Sequence, residues 1–156
     1  YQKWYKRNQE QDEKIIEWAM HSTGVYKSKE KSIQECSGGE AQRVWIATVM
    51  AQQPEMMFLD EPTTYLDISH QLETMRLIKK VNQESGIGIV MVLHDLGQAL
   101  EISDHIIVIQ NGKKYDEGRP EDVITAKMMK EVYNVDCDVV WLKKRKKPLI
   151  VYKEIC

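Results

Sequence analysis

No stretch of this sequence is long and apolar enough to read as a membrane span. The longest apolar run, residues 87–93, falls far short of the ~20 residues that a helix needs to cross a bilayer. Nor is there an excess of charge of one sign. Lys and Arg number 22 against 24 Asp and Glu, a formal net charge of -2, which gives no reason to expect nucleic acid as a general partner. Cysteine is scarce: Cys36, Cys137 and Cys156 are an odd number without metal-ligand spacing, and read as free or buried thiols of a reducing cytoplasm. The N-terminal stretch is polar and aromatic rather than basic then apolar, so it does not read as a signal peptide. Internal repeats and low-complexity segments are missing as well. The chain opens on Tyr1 rather than Met and is expected to be a fragment.

What is present suits a folded domain. At 156 residues, 42% hydrophobic and 29% charged, the chain can bury one core and is too short for two ordinary ones. Residues 1–7 read as an entry segment. Residues 8–20 read as a helix capped by Asn8, with Ile15, Ile16 and Ala19 as its apolar stripe and Thr23-Gly24 as its end. Residues 27–31 read as a solvated turn. Ser37 with Glu40 has capping-box spacing and predicts a helix to about Gln52, whose inward face would carry Ala41, Val44, Trp45, Thr48 and Ala51.

The run MMFLDEPTTYLD (residues 56–67) organises the rest. Its apolar part suits a buried strand, and Pro62, with fixed φ and no N–H, should end the strand just after Asp60 and Glu61. Two carboxylates then stand at the C-terminal edge of a sheet, where open α/β folds bind ligands. Residues 68–84 read as a helix with Leu72, Met75, Ile78 and Val81 on one face, closed by Ser85-Gly86. Residues 87–93 read as a strand buried on both faces, ending in His94-Asp95, with Asp95 capping a short helix. Beyond lie a strand at 106–110, an Asn111-Gly112 hairpin turn returning through 113–117, and two short helices at 120–124 and 126–133. A last hairpin, 139–142 with 149–152, would carry the basic run 143–147 at a solvated tip. Trp4, Trp18 and Trp141 read as packing anchors, and His21, His70 and His105 as surface or packing residues. Strands alternating with helices give an α/β fold with a mostly parallel sheet.

A Ser-Gly-Gly-Glu helix start, an Asp-Glu strand end and a His strand end, in this order, resemble the ATP-binding-cassette (ABC) ATPases, specifically their C-terminal part. CSGGEAQR (36–43) resembles the signature motif, residues 56–61 the Walker B strand, residues 65–67 the D-loop, and His94 the switch histidine. TTYLDISHQLE (63–73) and GRPEDV (118–123) are similar to importers of iron–siderophore and related metal chelates. The resemblance implies a P-loop NTPase-like core over residues 36–134, a remnant of the helical subdomain over 1–35, and a tail over 135–156. It implies ATP and Mg²⁺ as cofactors, with Asp60 holding Mg²⁺ through water, Glu61 polarising the attacking water and His94 contacting the γ-phosphate. Ser37, Gly38, Gly39 and Glu40 would meet the nucleotide of a second ATPase subunit, with Asp67 at the dimer seam. Further implied are permease subunits as partners, no nucleic acid, and a cytoplasmic place on the inner face of the membrane, touched only through the permease.

The signature departs from the family pattern at Cys36, where leucine is usual, and at Glu40, where glutamine is usual. The phosphate-loop pattern G-x-x-x-x-G-K-S/T does not occur in this sequence, so neither does its lysine or its cradle of N–H groups. The strand carrying that loop would lie between the strand ending at His94 and the strand 106–110. The chain alone is therefore expected neither to bind ATP with useful affinity nor to hydrolyse it. Two other readings are a half-cassette that binds a partner's nucleotide site without catalysis, and an ABC ATPase of DNA repair or chromosome structure.

Overall fold

A computed structural model describes residues 9–143 and 145–155, which fall into two compact units divided between Val92 and Leu93. The entry segment, the Asn8 cap, Trp4 and Cys156 lie outside the described residues.

In the first unit, α1 (Gln9–Thr23) ends with the Thr23 hydroxyl donating to the Ala19 carbonyl at 3.0 Å. Ala19 is buried, but Ile16 of the expected stripe is half exposed. Two single-turn 3-10 helices, Tyr26–Ser28 and Ile33–Glu35, lead to α2 (Gly38–Met50), which begins as expected on Ser37. The buried face of α2 is a correction: Gly39, Ile46, Ala47 and Met50 point inward, while Trp45 is 60% exposed and Thr48 is exposed. At about 100° per residue the two stripes lie on different sides of the helix. The inward side is the one on which Gly39 lies against the His70 ring of the next helix.

Strand β1 (Met56–Asp60) pairs in parallel with β2 (Gly88–Val92), from Met56 opposite Gly88 to Asp60 opposite Val92. Between them runs α3 (Ile68–Ser85), started by Asp67 and stopped at Gly86, whose φ of +69 suits glycine. Thr74, Met75, Leu77, Ile78 and Val81 are its buried side chains, and Leu72 is exposed after all. The start of α3 meets α2 through a polar contact, Arg43 to Glu73 at 3.0 Å. The strands are also not buried on both faces. Met57 is 1% exposed, but Phe58 is 75% exposed, and Met56, Val90 and Val92 share its open face. Among the described residues β1 and β2 pair only with each other, and nothing covers that face.

The second unit holds α4 (Leu96–Ile102), capped by Asp95, and the antiparallel hairpin β3 (Ile106–Gln110) and β4 (Lys113–Gly118). Its turn residues Asn111 and Gly112 have φ of 50° and 72°, the positive values a two-residue hairpin turn requires. Helices α5 (Pro120–Val123) and α6 (Ala126–Tyr133) precede a second antiparallel hairpin, β5 (Val135–Val140) with β6 (Leu149–Ile155). Leu100, Val108, Val123, Ile124, Met128, Met129 and Cys137 form the core here. Each such side chain, fully buried, is worth about 1.5–3 kcal/mol for a Leu, Val, Ile or Met. The tip of the basic run is solvated as expected, with residues 143, 145 and 146 exposed, but it is also tied down: Arg145 pairs with Glu101 at 2.6 Å and Lys147 donates to the Ser103 carbonyl at 2.8 Å. Trp18 and Trp141, 40% and 57% exposed, are not packing anchors. The parallel pairing of the α/β fold is carried by β1 and β2. No helix among the described residues is long and apolar enough to cross a membrane.

Candidate functional site

The start of α2 is a complete capping box. Ser37 Oγ accepts from the Glu40 N–H at 3.3 Å, and Glu40 Oε2 accepts from the Ser37 N–H at 2.9 Å. The first N–H groups of a helix have no partner within it, and the helix dipole makes that end attractive to an anion. A hydroxyl that accepts at Oγ can still donate its own proton. Ser37 and Gly38 are exposed. Glu40 adds negative charge here, and it stays ionised: its carboxyl is held down to about 2, first by the Ser37 backbone N–H and then by Lys31.

Gly39 is buried because a histidine ring lies against it. A Cβ built there would meet His70 Cδ2 at 2.4 Å, a distance that real Cβ atoms do not show. Only glycine fits without moving the ring. His70 Nδ1 in turn sits 2.8 Å from Asp67 Oδ1, the oxygen that also accepts the His70 N–H at 2.9 Å and the Ser69 hydroxyl at 2.8 Å. These bonds, the His70 backbone N–H foremost, hold the Asp67 carboxyl down to about 2. Ser37, Gly38, Gly39 and Glu40 are thus brought together with Asp67, through His70. The sequence reads His70 as a surface or packing residue, and its ring does pack, on Gly39; its bond to Asp67 is what that reading lacks, and its place three residues after a helix-starting Asp is the available signal.

At the end of β1 stand Asp60, exposed, and Glu61, half-buried. Pro62 follows, but the turn itself is made by Glu61, whose φ of 46 lies in the left-handed region that a non-glycine residue rarely takes. The Glu61 N–H donates to the Val92 carbonyl at 3.1 Å, and Thr64 Oγ1 donates to Glu61 Oε2 at 2.9 Å. The loop beyond is pinned by Gln71, whose amide donates to the Thr63 carbonyl at 3.3 Å and the Leu66 carbonyl at 3.1 Å. Gln71 was a residue the sequence reading left without a role.

His94 belongs to the second unit, where it lines a groove of about 620 Å³ with Asp95, Tyr133, Arg145 and Tyr152. The described residues contain no group of three or more His, Cys, Asp or Glu fit to hold a metal by themselves. A magnesium ion, which keeps its waters and takes one or two carboxylates plus phosphate oxygens, fits the exposed Asp60 better than a cage would.

The family model for ABC transporter matches residues 2–64. The petrobactin import ATP-binding protein FpuC of Bacillus anthracis is 40% identical over 99% of this chain and 56% of its own length. The iron(3+)-hydroxamate import ATP-binding protein FhuC of Bacillus subtilis (strain 168) is 40% identical over 96% of this chain and 55% of its own length. The chain spans about half the length of the curated relatives it matches. Among solved structures, cbiO1 from Clostridium perfringens, part of the ABC transporter complex cbiONQ, superposes with a TM-score of 0.74 at 30% identity over 83% of this chain and 52% of that one. A transporter described as of metal-chelate type superposes with a TM-score of 0.84 over 96% of this chain and 59% of that one. At 17% identity, that likeness speaks to the fold alone.

Proposed function

We propose, from its matches to ABC transporter ATPases and their P-loop NTPase fold, that the chain belongs to that family and is the C-terminal part of the ATP-hydrolysing subunit of an importer of iron–siderophore or related metal chelates. The observation that carries this reading is the joining of the Ser37–Glu40 capping box to Asp67 through His70 and Gly39.

In this reading ATP would be the phosphoryl donor, and Asp60 would hold, through a water, a Mg²⁺ ion whose charge would offset that of the phosphates. Glu61, fixed by its left-handed backbone and by Thr64, orients and polarises the attacking water. His94 contacts the γ-phosphate. Ser37 offers its hydroxyl, and Gly38 and Gly39 their N–H groups, to the γ-phosphate bound by a second ATPase subunit; Glu40 keeps that helix start in shape. Asp67 lies at the seam between the two subunits. The pair docks on permease subunits at the cytoplasmic face of the membrane. Residues 1–35 stand for a helical subdomain, 36–134 for the ATPase core and 135–156 for a tail.

A chimera tests the proposal. In FhuC of Bacillus subtilis the matched part is replaced by this chain, and Mg-dependent ATP turnover and ferric hydroxamate uptake are measured. The expected result is turnover that Glu61→Gln lowers by at least about 10²-fold. A folded chimera that binds ATP yet hydrolyses none would overturn the assignment of Glu61. Turnover without uptake would overturn the substrate class.

A further inference from the structure

Glu40 stands where its relatives' resemblance leads one to expect an amide, and its surroundings explain why a carboxylate is accommodated. One oxygen, Oε2, accepts from the Ser37 N–H at 2.9 Å. The other, Oε1, accepts from Ser28 Oγ at 3.2 Å and from Lys31 Nζ at 3.3 Å. Both donors are set by the turn before the helix: the Ser28 N–H bonds the Val25 carbonyl at 2.9 Å, and the Lys31 N–H bonds the Ser28 carbonyl at 3.0 Å. A glutamine could still accept from Ser37 with its oxygen. Its NH₂ would then face the Lys31 ammonium, donor against donor. The side chains at 31 and 40 are therefore chemically tied, although nine positions separate them.

We propose that Lys31 is a positioning residue for the start of α2: it holds Glu40 in the capping box and cancels the charge that Glu40 would otherwise set against a phosphate docking on Ser37. The second half rests on the functional reading above; the first does not. Ser28 supplies geometry without charge, so among the described residues it is Lys31, ion-paired to Glu40 at 3.3 Å, that supplies the cancellation.

The test begins on the chain itself, without nucleotide, by NMR hydrogen exchange of the Ser37 amide. Lys31→Met is expected to speed that exchange about tenfold, as loss of a hydrogen bond to a charged group would. Glu40→Gln does the same, the Lys31→Met/Glu40→Gln pair returns toward the parent rate, and Lys31→Arg stays slow. Amides of β1 and β2 serve as the control, unchanged in every variant, which separates lost positioning from general loosening. An unchanged Ser37 rate in Lys31→Met, or an equal effect of Glu40→Gln with Lys or Met at 31, overturns the holding role. In the active FhuC chimera, Lys31→Met is expected to lower kcat/KM for ATP about tenfold, recovered in the Lys31→Met/Glu40→Gln pair. An equal kcat/KM in parent and Lys31→Met overturns the cancelling role. A chimera with no turnover at all overturns the cancelling role along with the functional reading and leaves the exchange result standing.

Discussion

Gly39 is the residue on which the candidate site turns, because the His70 ring occupies the space a side chain would need. Gly39→Ala is expected to destabilise the chain by about 1–3 kcal/mol, the usual cost of overpacking, seen as a lower urea midpoint. Adding His70→Ala removes the obstacle, so the double variant should lose less than the sum of its parts. A fully additive pair would show that ring and glycine do not meet. Asp67 makes a pH prediction. Its carboxyl titrates lower in the folded chain, about 2 against an ordinary 3.8, so its contribution is complete above the ordinary value and is lost as pH falls through about 2. The urea midpoint of the parent should therefore drop toward that of Asp67→Ala as acid is added from pH 5 downward, and a constant gap would contradict the bond to His70. The Ser37 cap was legible in the sequence, because a cap is a bond between a side chain and a backbone three residues on. The left-handed turn at Glu61 and the Lys31–Glu40 pair were not, since each depends on where a second segment comes to rest.

At the scale of the element, α3 carries a polar group in the wrong medium. Thr74 is 1% exposed and its hydroxyl has no hydrogen-bond partner among the described residues. A buried hydroxyl without a partner costs about 1–3 kcal/mol. Thr74→Val keeps the shape and removes the polar atom, so the melting temperature should rise; a fall would mean that Oγ1 is satisfied in solution. The same helix shows what periodicity can and cannot tell. Met75, Ile78 and Val81 lie inward as their spacing predicts, whereas Leu72, on the same stripe, does not. Spacing identifies a face, and packing decides how far along the helix that face is covered. In α2 even the face differs from the apolar pattern, to which Gly39, lacking a side chain, contributes nothing although it lies on the side that meets His70 of α3. Asn111-Gly112 and the Asp95 cap, both local, were read correctly.

For the whole molecule, the α/β class and the family were legible because the signature, strand-end acids and histidine occur in a fixed order. The exposure of Phe58 was not, since an apolar strand reads the same whether or not a second layer covers it. The chain alone is expected to show no micromolar binding of ATP and no Mg-dependent turnover, as a titration by calorimetry and a phosphate-release assay would register. Light scattering with and without Mg-ATP should give one and the same mass; a nucleotide-dependent dimer would reveal a site built without the phosphate-loop pattern. One consequence concerns how such measurements can be made at all. Trp18, Trp45 and Trp141 are 40%, 60% and 57% exposed, so each indole already meets water in the folded chain. Iodide should quench the native emission of these three readily, and unfolding should shift their emission maximum only slightly. Emission from Trp18, Trp45 and Trp141 is then a poor thermometer for this fold, and a good doorbell for anything that comes to rest against it.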